Sequence, residues 1–422
     1  MTPRTTTGAT TRSKNGLHRY SAFAGVLAAA GLPLYIHAPK YYVDTYDLSL
    51  STIGVALLGL RVLDFVQDPV LGWVVDHLGP WRGVFAGGMT ALLALAMVAL
   101  FAVTAPINPI VWFVLCLAVL FTAFSALSIL FYARGIVKGD TLGADGHLRL
   151  AGWRETGGLI GICLAAILPT VFLGMGASAP LAVFAVVFCI AALIGGAMMR
   201  HEWRGGAEVD HTSILTLLAD PILRRLLLVG LLNAAPSAVS ASLFLFFVEY
   251  RLGNETAAGP LLLIFFLAAA VSVPFWAKVA RQRGAKWTLL LGMTLSIVAF
   301  SFAITLGQGD AGLFAVVCLA SGAALGADMT LLPALFSERV ERVHGAGGQA
   351  FGLWNFCSKL TLAVAAATVL PALDQSGFST HHPNSPQVLM VLTFTYAVVP
   401  SILKTIALAV LYWTPIKETC HV

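Results

Sequence analysis

The chain has 422 residues, 58% of them hydrophobic and only 11% charged, with a mean hydropathy of +0.86. A water-soluble fold of this length could not bury so much apolar surface, and several apolar runs exceed the roughly 18 residues that cross a bilayer as a helix. The formal charge of +5 lies in short connections between those runs, where topology alone accounts for it, so nucleic-acid binding is set aside.

Residues 1–19 are polar and basic and read as a cytoplasmic N-terminal tail. The first predicted span, 20–44, is apolar and carries Leu32, Leu34, Tyr35 and Ile36 with no carboxylate in its core. The second, 51–76, is different, because Arg61, Asp64 and Asp68 stand inside its apolar run. A charge at mid-membrane depth costs about 2.5–3.5 kcal/mol, so these three need partners or a water-lined cavity. Their spacing of three and four residues brings them out on one helix face. Paired carboxylates with an arginine one turn away can hold a small cation or a proton; a charge network that only locks helices together is the alternative.

Spans 83–104, 109–135, 153–175 and 179–200 complete a first set of six. Arg154 and Glu155 fall near the start of the fifth. The longest internal polar interruption, 201–222, then precedes spans 224–250, 257–278, 287–307, 311–336, 349–373 and 387–414. These elements define an all-α polytopic membrane protein with twelve transmembrane helices. They form an N-terminal six-helix bundle (20–200), a cytoplasmic inter-bundle loop (201–222), a C-terminal six-helix bundle (223–414) and a short tail (415–422). Lys and Arg gather on one side, at Arg82, Lys138, Arg149, Arg200, Lys278, Arg281 and Arg339 among others, against Lys40 and Arg251 on the other. That asymmetry puts both termini in the cytoplasm. A six-plus-six layout is that of a transporter built from repeats, with its site near the midplane between them. Further embedded charges are Asp328, Lys359 and Lys404, with Trp354 and Asn355 within about a turn of Lys359.

The six cysteines are scattered without a C-x-x-C pair and imply neither disulfides nor a metal site. The chain also lacks H-E-x-x-H, G-x-S-x-G and Walker sequences, so it reads as neither an enzyme nor an ATP-driven pump.

The segment Gly72-x-x-x-Asp76-x-x-Gly79-x-x-Arg82 resembles the signature loop of the major facilitator superfamily, in which Asp76 and Arg82 are placed to cap helix ends and pair across a cytoplasmic seam. More specifically, RVLDFVQDPVLGWVVD (61–76) resembles the second helix of the glycoside-pentoside-hexuronide:cation symporters, the melibiose permease group. SILFYARG (128–135), DGHLRLAGWRE (145–155) and the long segment 327–359 agree. The resemblance implies the superfamily fold and cation-coupled symport by alternating access. It implies that Asp64 and Asp68 ligate Na⁺, Li⁺ or H⁺, aided by the Ser125 hydroxyl, with Lys359 opposite. No other metal or cofactor is implied.

It further matches Arg154 to the family's arginine at that place; Tyr35, Arg61, Ser128, Trp354 and Asn355 are further solute-contact candidates by their positions, and Asp76, Arg82 and Asp328 take gating or structural roles. The chain departs from the sugar-binding pattern, which places acids on the first and fourth helices; here the first has none and the fourth has Ser128. The expected solute is therefore sugar-like or, on the same fold, a lysolipid or other amphipathic molecule. The expected setting is a monomer among the lipids of a bacterial inner membrane.

Overall fold

The computed structural model describes residues 16–32, 37–143, 145–204, 214–343, 346–378 and 384–416, and among these all regular structure is helical. The N-terminal part runs α1 (Leu17–Leu32), α2 (Ala38–Tyr46), α3 (Leu50–His77), α4 (Arg82–Phe101), α5 (Pro109–Thr141), α6 (Gly146–Gly174) and α7 (Pro180–Arg204). The C-terminal part runs α8 (Ile214–Ala219), α9 (Pro221–Phe246), α10 (Ala258–Arg283), α11 (Ala285–Ala303), α12 (Ala311–Arg342), α13 (Gly347–Gln375), α14 (Pro386–Thr393) and α15 (Val399–Tyr412). Single π-turns extend α9 to Arg251 and join α14 to α15.

Local chemistry sets several of the helix starts. Ser49 accepts the Thr52 amide at 3.2 Å ahead of α3, Asn108 accepts that of Ile110 at 3.1 Å ahead of α5, and Asp220 accepts that of Leu223 at 2.7 Å ahead of α9. Each side chain satisfies an amide that the helix itself leaves without a partner. Pro109 and Pro221 follow two of these caps, where the missing N–H costs nothing.

Ten helices among the described residues are long and apolar enough to cross a membrane. The predicted second span forms α3, 28 residues long and interrupted by the charges at 61, 64 and 68. The protein is therefore an integral, multi-pass membrane protein. Some helices outrun the expected spans: α5 continues past 135 to Thr141 and α6 begins at Gly146 instead of 153. At 1.5 Å per residue the 33 residues of α5 reach about 50 Å, well beyond a hydrocarbon core of about 30 Å. The charges of Lys138 and Asp140 end a span, but they do not end a helix.

The two parts of the chain repeat their internal pairings. In the first, α1 packs on α6, α3 on α5, and α4 on both α5 and α7; in the second, α9 packs on α13, α10 on α12, and α11 on both α12 and α15. The corresponding helices α6 and α13 are each 29 residues long. One large apolar core joins residues of α1 to α7, and two others are built chiefly from α9 to α15. Across the junction α3 packs on α13 and α6 on α10. The outer surface is apolar, with Leu95, Leu193, Val271, Val316 and Met390 all exposed, as a lipid-facing exterior requires.

Candidate functional site

The junction of α3 and α13 holds the charges. Asp64 and Asp68, one helical turn apart, leave the same face of α3, and both are buried. The ammonium of Lys359, from α13, lies 2.7 Å from Asp64 Oδ1, 3.0 and 2.9 Å from the two oxygens of Asp68, and 2.6 Å from Ser125 Oγ on α5. Ser125 also donates to Asp64 Oδ1 at 3.1 Å, and the Asp64 carbonyl oxygen is 3.4 Å from the ammonium. An ammonium has three N–H donors. Asp64 Oδ1, Asp68 Oδ1 and Ser125 Oγ take them, leaving Asp68 Oδ2 within ion-pair range but without a hydrogen bond.

Two carboxylates facing one ammonium leave the ionised cluster one negative charge in excess. Buried away from water, that excess favours a proton or a further monovalent cation. The surrounding donors are all oxygens, the ligand type that hard cations take.

A second ring of polar groups supports the first. Gln67 Nε2 donates to Asp64 Oδ1 at 3.4 Å, and Thr122 Oγ1 donates to Gln67 Oε1 at 2.9 Å. The sequence reading did not single out either residue. The available signal was positional, since Gln67 lies between the two acids and Thr122 lies three residues before Ser125 on the same face of α5.

Below the cluster, α3 and α13 meet backbone to backbone. A methyl group added at Gly72 would sit 2.6 Å from the Gly348 carbonyl oxygen, and one at Gly352 would sit 2.7 Å from that of Asp68. Asp76 then crosses the seam, accepting the amides of Gly348 at 2.8 Å and Gln349 at 2.7 Å, and so caps α13. The Tyr132 and Phe351 rings pack with centroids 4.9 Å apart, and His147 of α6 pairs with Glu341 of α12. All these contacts lie on one side of the charge cluster, where α3 ends and α13 begins.

The other expected residues are dispersed. Arg154 is buried against its neighbour Glu155, Nε to Oε1 2.7 Å, and lies 3.9 Å over the Tyr132 ring, with Nη2 lacking a hydrogen-bond partner among the described residues. Trp354 turns away from the cluster to pack on Phe336, with ring centroids 4.8 Å apart, and on the backbone at Gly230. Asn355 is half-buried one turn before Lys359, Arg61 is half-buried one turn before Asp64, and Ser128 is buried beyond Ser125 on α5. Asp328 pairs with Lys404 inside the C-terminal part, remote in sequence and partner from the Asp64 cluster.

Tyr35 lies outside the described residues. Arg82 lies close enough to Asp76 for its charge to act on that carboxylate without contacting it. It opens α4 after the turn Gly79–Trp81 and makes no ion pair within contact distance among the described residues, while main-chain amides engage both Asp76 oxygens.

Membrane-length helices in two like sets, with a buried ion-paired cluster at their junction, define a carrier of the major facilitator type. A family model described as MFS/sugar transport protein matches residues 18–418, and the chain belongs to this family of transporters. It is similar to the sodium-dependent lysophosphatidylcholine symporter 1 of Xenopus tropicalis, 27% identical over 42% of the chain; that match spans only 35% of the relative's length. It is also similar to the glucuronide carrier protein homolog of Escherichia coli K12, 22% identical over 90% of this chain and 87% of that one. The fold resembles that of a bacterial homologue of the iron transporter ferroportin in an outward-facing state, with a TM-score of 0.70 and 14% identity over 94% of this chain and 98% of that one.

Proposed function

We propose that the protein is a secondary active transporter that couples the entry of a monovalent cation, Na⁺ or H⁺, to symport of a small organic solute by alternating access. The observation that carries this reading is the Lys359 ammonium lying among the oxygens of Asp64, Asp68 and Ser125. A cation entering that oxygen set competes with the ammonium for the same atoms. Lys359 belongs to α13 and the acids to α3, so displacing it weakens the link between the two sets of helices. Cation loading thereby changes the cost of separating them, which is the requirement for coupling.

The layout that goes with this reading has twelve crossings in two six-helix bundles, both termini in the cytoplasm, and one chain holding a complete site in a bacterial inner membrane. The protein carries no enzyme activity in this scheme. A sugar-like solute such as a glycoside is the first reading, supported by the family and by the glucuronide carrier relative along most of the chain. An amphipathic solute of the lysolipid type is the second. It is favoured by the absence of a carboxylate in α1, by Ser128 where a sugar-gripping acid is expected, and by the lysophosphatidylcholine symporter relative.

The test is gradient-driven uptake in proteoliposomes under a Na⁺ or a proton gradient, with glucuronides and lysophosphatidylcholine offered separately. Asp64→Asn and Asp68→Asn should each abolish accumulation against the solute gradient. Uphill transport retained in full by both variants would exclude the coupling role.

A further inference from the structure

A groove of about 360 Å³ runs along the outside of the bundle between α6 and α10, one of the seams where the two parts of the chain meet. On α6 it is lined by Arg149, Trp153 and Thr156, at spacings of four and three, so one stripe of that helix faces it. On α10 it is lined by Pro274, Ala277 and Arg281, again a single stripe. The two arginines stand at one end of the groove, three residues after α6 begins and two before α10 stops. The floor behind them is apolar, and Trp153 is half exposed, the position of an aromatic at the level of lipid headgroups. Neither Arg149 nor Arg281 makes an ion pair among the described residues. This contrasts with Arg154, five residues further along α6 and on another face of it, which is paired and buried.

We infer that this groove is a binding site for an anionic phospholipid. The two guanidiniums hold its phosphate and the acyl chain lies along Thr156, Pro274 and Ala277. Guanidinium suits phosphate because its planar fork matches two phosphate oxygens, and Arg149, half-buried, and Arg281, exposed, bring one such fork from each helix to the same end of the groove. The alternative of a free phosphate leaves the apolar floor of the groove unused, so the ligand comes from the bilayer. A phosphate held by one arginine from each helix ties α6 to α10 and favours the arrangement in which this seam is closed. The site is independent of which solute the transporter carries.

The experiment is photo-crosslinking in phosphatidylcholine nanodiscs containing a trace of phosphatidylglycerol with a diazirine on its acyl chain, with labelled peptides mapped by mass spectrometry. Label should concentrate on the stretches around Thr156 and Pro274 to Ala277. At about fivefold per charge, the double variant Arg149→Gln, Arg281→Gln should lower it roughly thirtyfold at sub-saturating probe. Arg283→Gln, at the same helix end but outside the groove, should leave it unchanged. A phosphatidylcholine diazirine probe in the unmodified protein needs no variant to fold and should label these stretches far less. Equal labelling by the two probes, or labelling indifferent to the double variant in protein of unchanged melting temperature, overturns the proposal. Displacement of the probe by soluble glycerol phosphate overturns it in favour of a soluble-anion site.

Discussion

The Lys359 ammonium lies 2.7 Å from Asp64 Oδ1, an ion pair that joins α13 to α3 across the junction of the two helix sets. It makes the lysine an internal competitor for the cation. Lys359→Met should remove that competition while keeping side-chain bulk. Its Na⁺ affinity, titrated calorimetrically in purified protein at mildly alkaline pH, should rise by about tenfold, within the range of ordinary coupling energies. Gradient-driven uptake should be lost, because the link that cation binding breaks is already gone. An unchanged cation affinity would mean that the lysine and the cation do not share the oxygens.

The ingredients of this cluster were legible in the sequence because a charge inside an apolar run is costly enough to demand a reason. Asp64, Asp68 and Lys359 stand out on that ground alone, and the three-and-four spacing puts the acids on one face. Gln67 and Thr122 carry no such signal, since neutral polar side chains are cheap in a helix that packs against others. The partner of Asp76 was equally hidden. It is a pair of main-chain amides at Gly348 and Gln349, and amides have no sequence signature. The helix ends differ from the expected spans where Lys138 and Arg149 lie beyond the apolar run, because a helix can continue past the hydrocarbon once its charges find partners there, as Lys138 does in Glu202.

The seam below the cluster should be intolerant of side chains. A methyl at Gly348 would lie 2.5 Å from the Gly72 carbonyl oxygen and 2.7 Å from Asp76 Oδ1, and backbone cannot yield as a flexible side chain can. Gly348→Ala should shift the protein toward forms in which α3 and α13 are parted at this end. Spin labels at Trp81 and Glu338 would report a larger population of long distances than in the parent. Asp76→Ala, which removes a helix cap worth about 1 kcal/mol, should do the same by about fivefold. Identical distance distributions in all three proteins would show that the seam does not control opening.

Asp328 and Lys404 form a buried pair within the C-terminal part, the carboxylate on α12 and the ammonium on α15. Removing one partner strands the other charge. Asp328→Asn should therefore cost about 3–5 kcal/mol of stability, whereas Asp328→Leu combined with Lys404→Met should recover most of it. Thermal unfolding of the single and double variants in detergent makes the comparison, with uptake measured alongside. The pair ties helices together, so the double variant should transport; a stable double variant that cannot transport would move Asp328 into the gating machinery.

Asp220 supplies a pH dependence that can be read outside the membrane spans. It precedes α9, caps it through the Leu223 amide, and is paired with Arg339 at the end of α12. Burial alone pushes its carboxyl up, but the hydrogen bonds from Arg339 and from the helix amides outweigh this and hold it below the ordinary carboxylate value. A carboxylate depressed in the folded state contributes stability that is complete above its unfolded pKa, near 3.9, and fades as pH falls through the lower folded value. Asp220→Asn keeps the cap and deletes the charge, so it should lower stability by about 1 kcal/mol at neutral pH. The difference from the parent should hold steady down to about pH 4 and shrink below it, as the parent's own carboxyl takes up its proton. Melting temperatures of the two proteins across that range are the measurement, and a gap that persists unchanged into strong acid would show that the Asp220 charge contributes nothing.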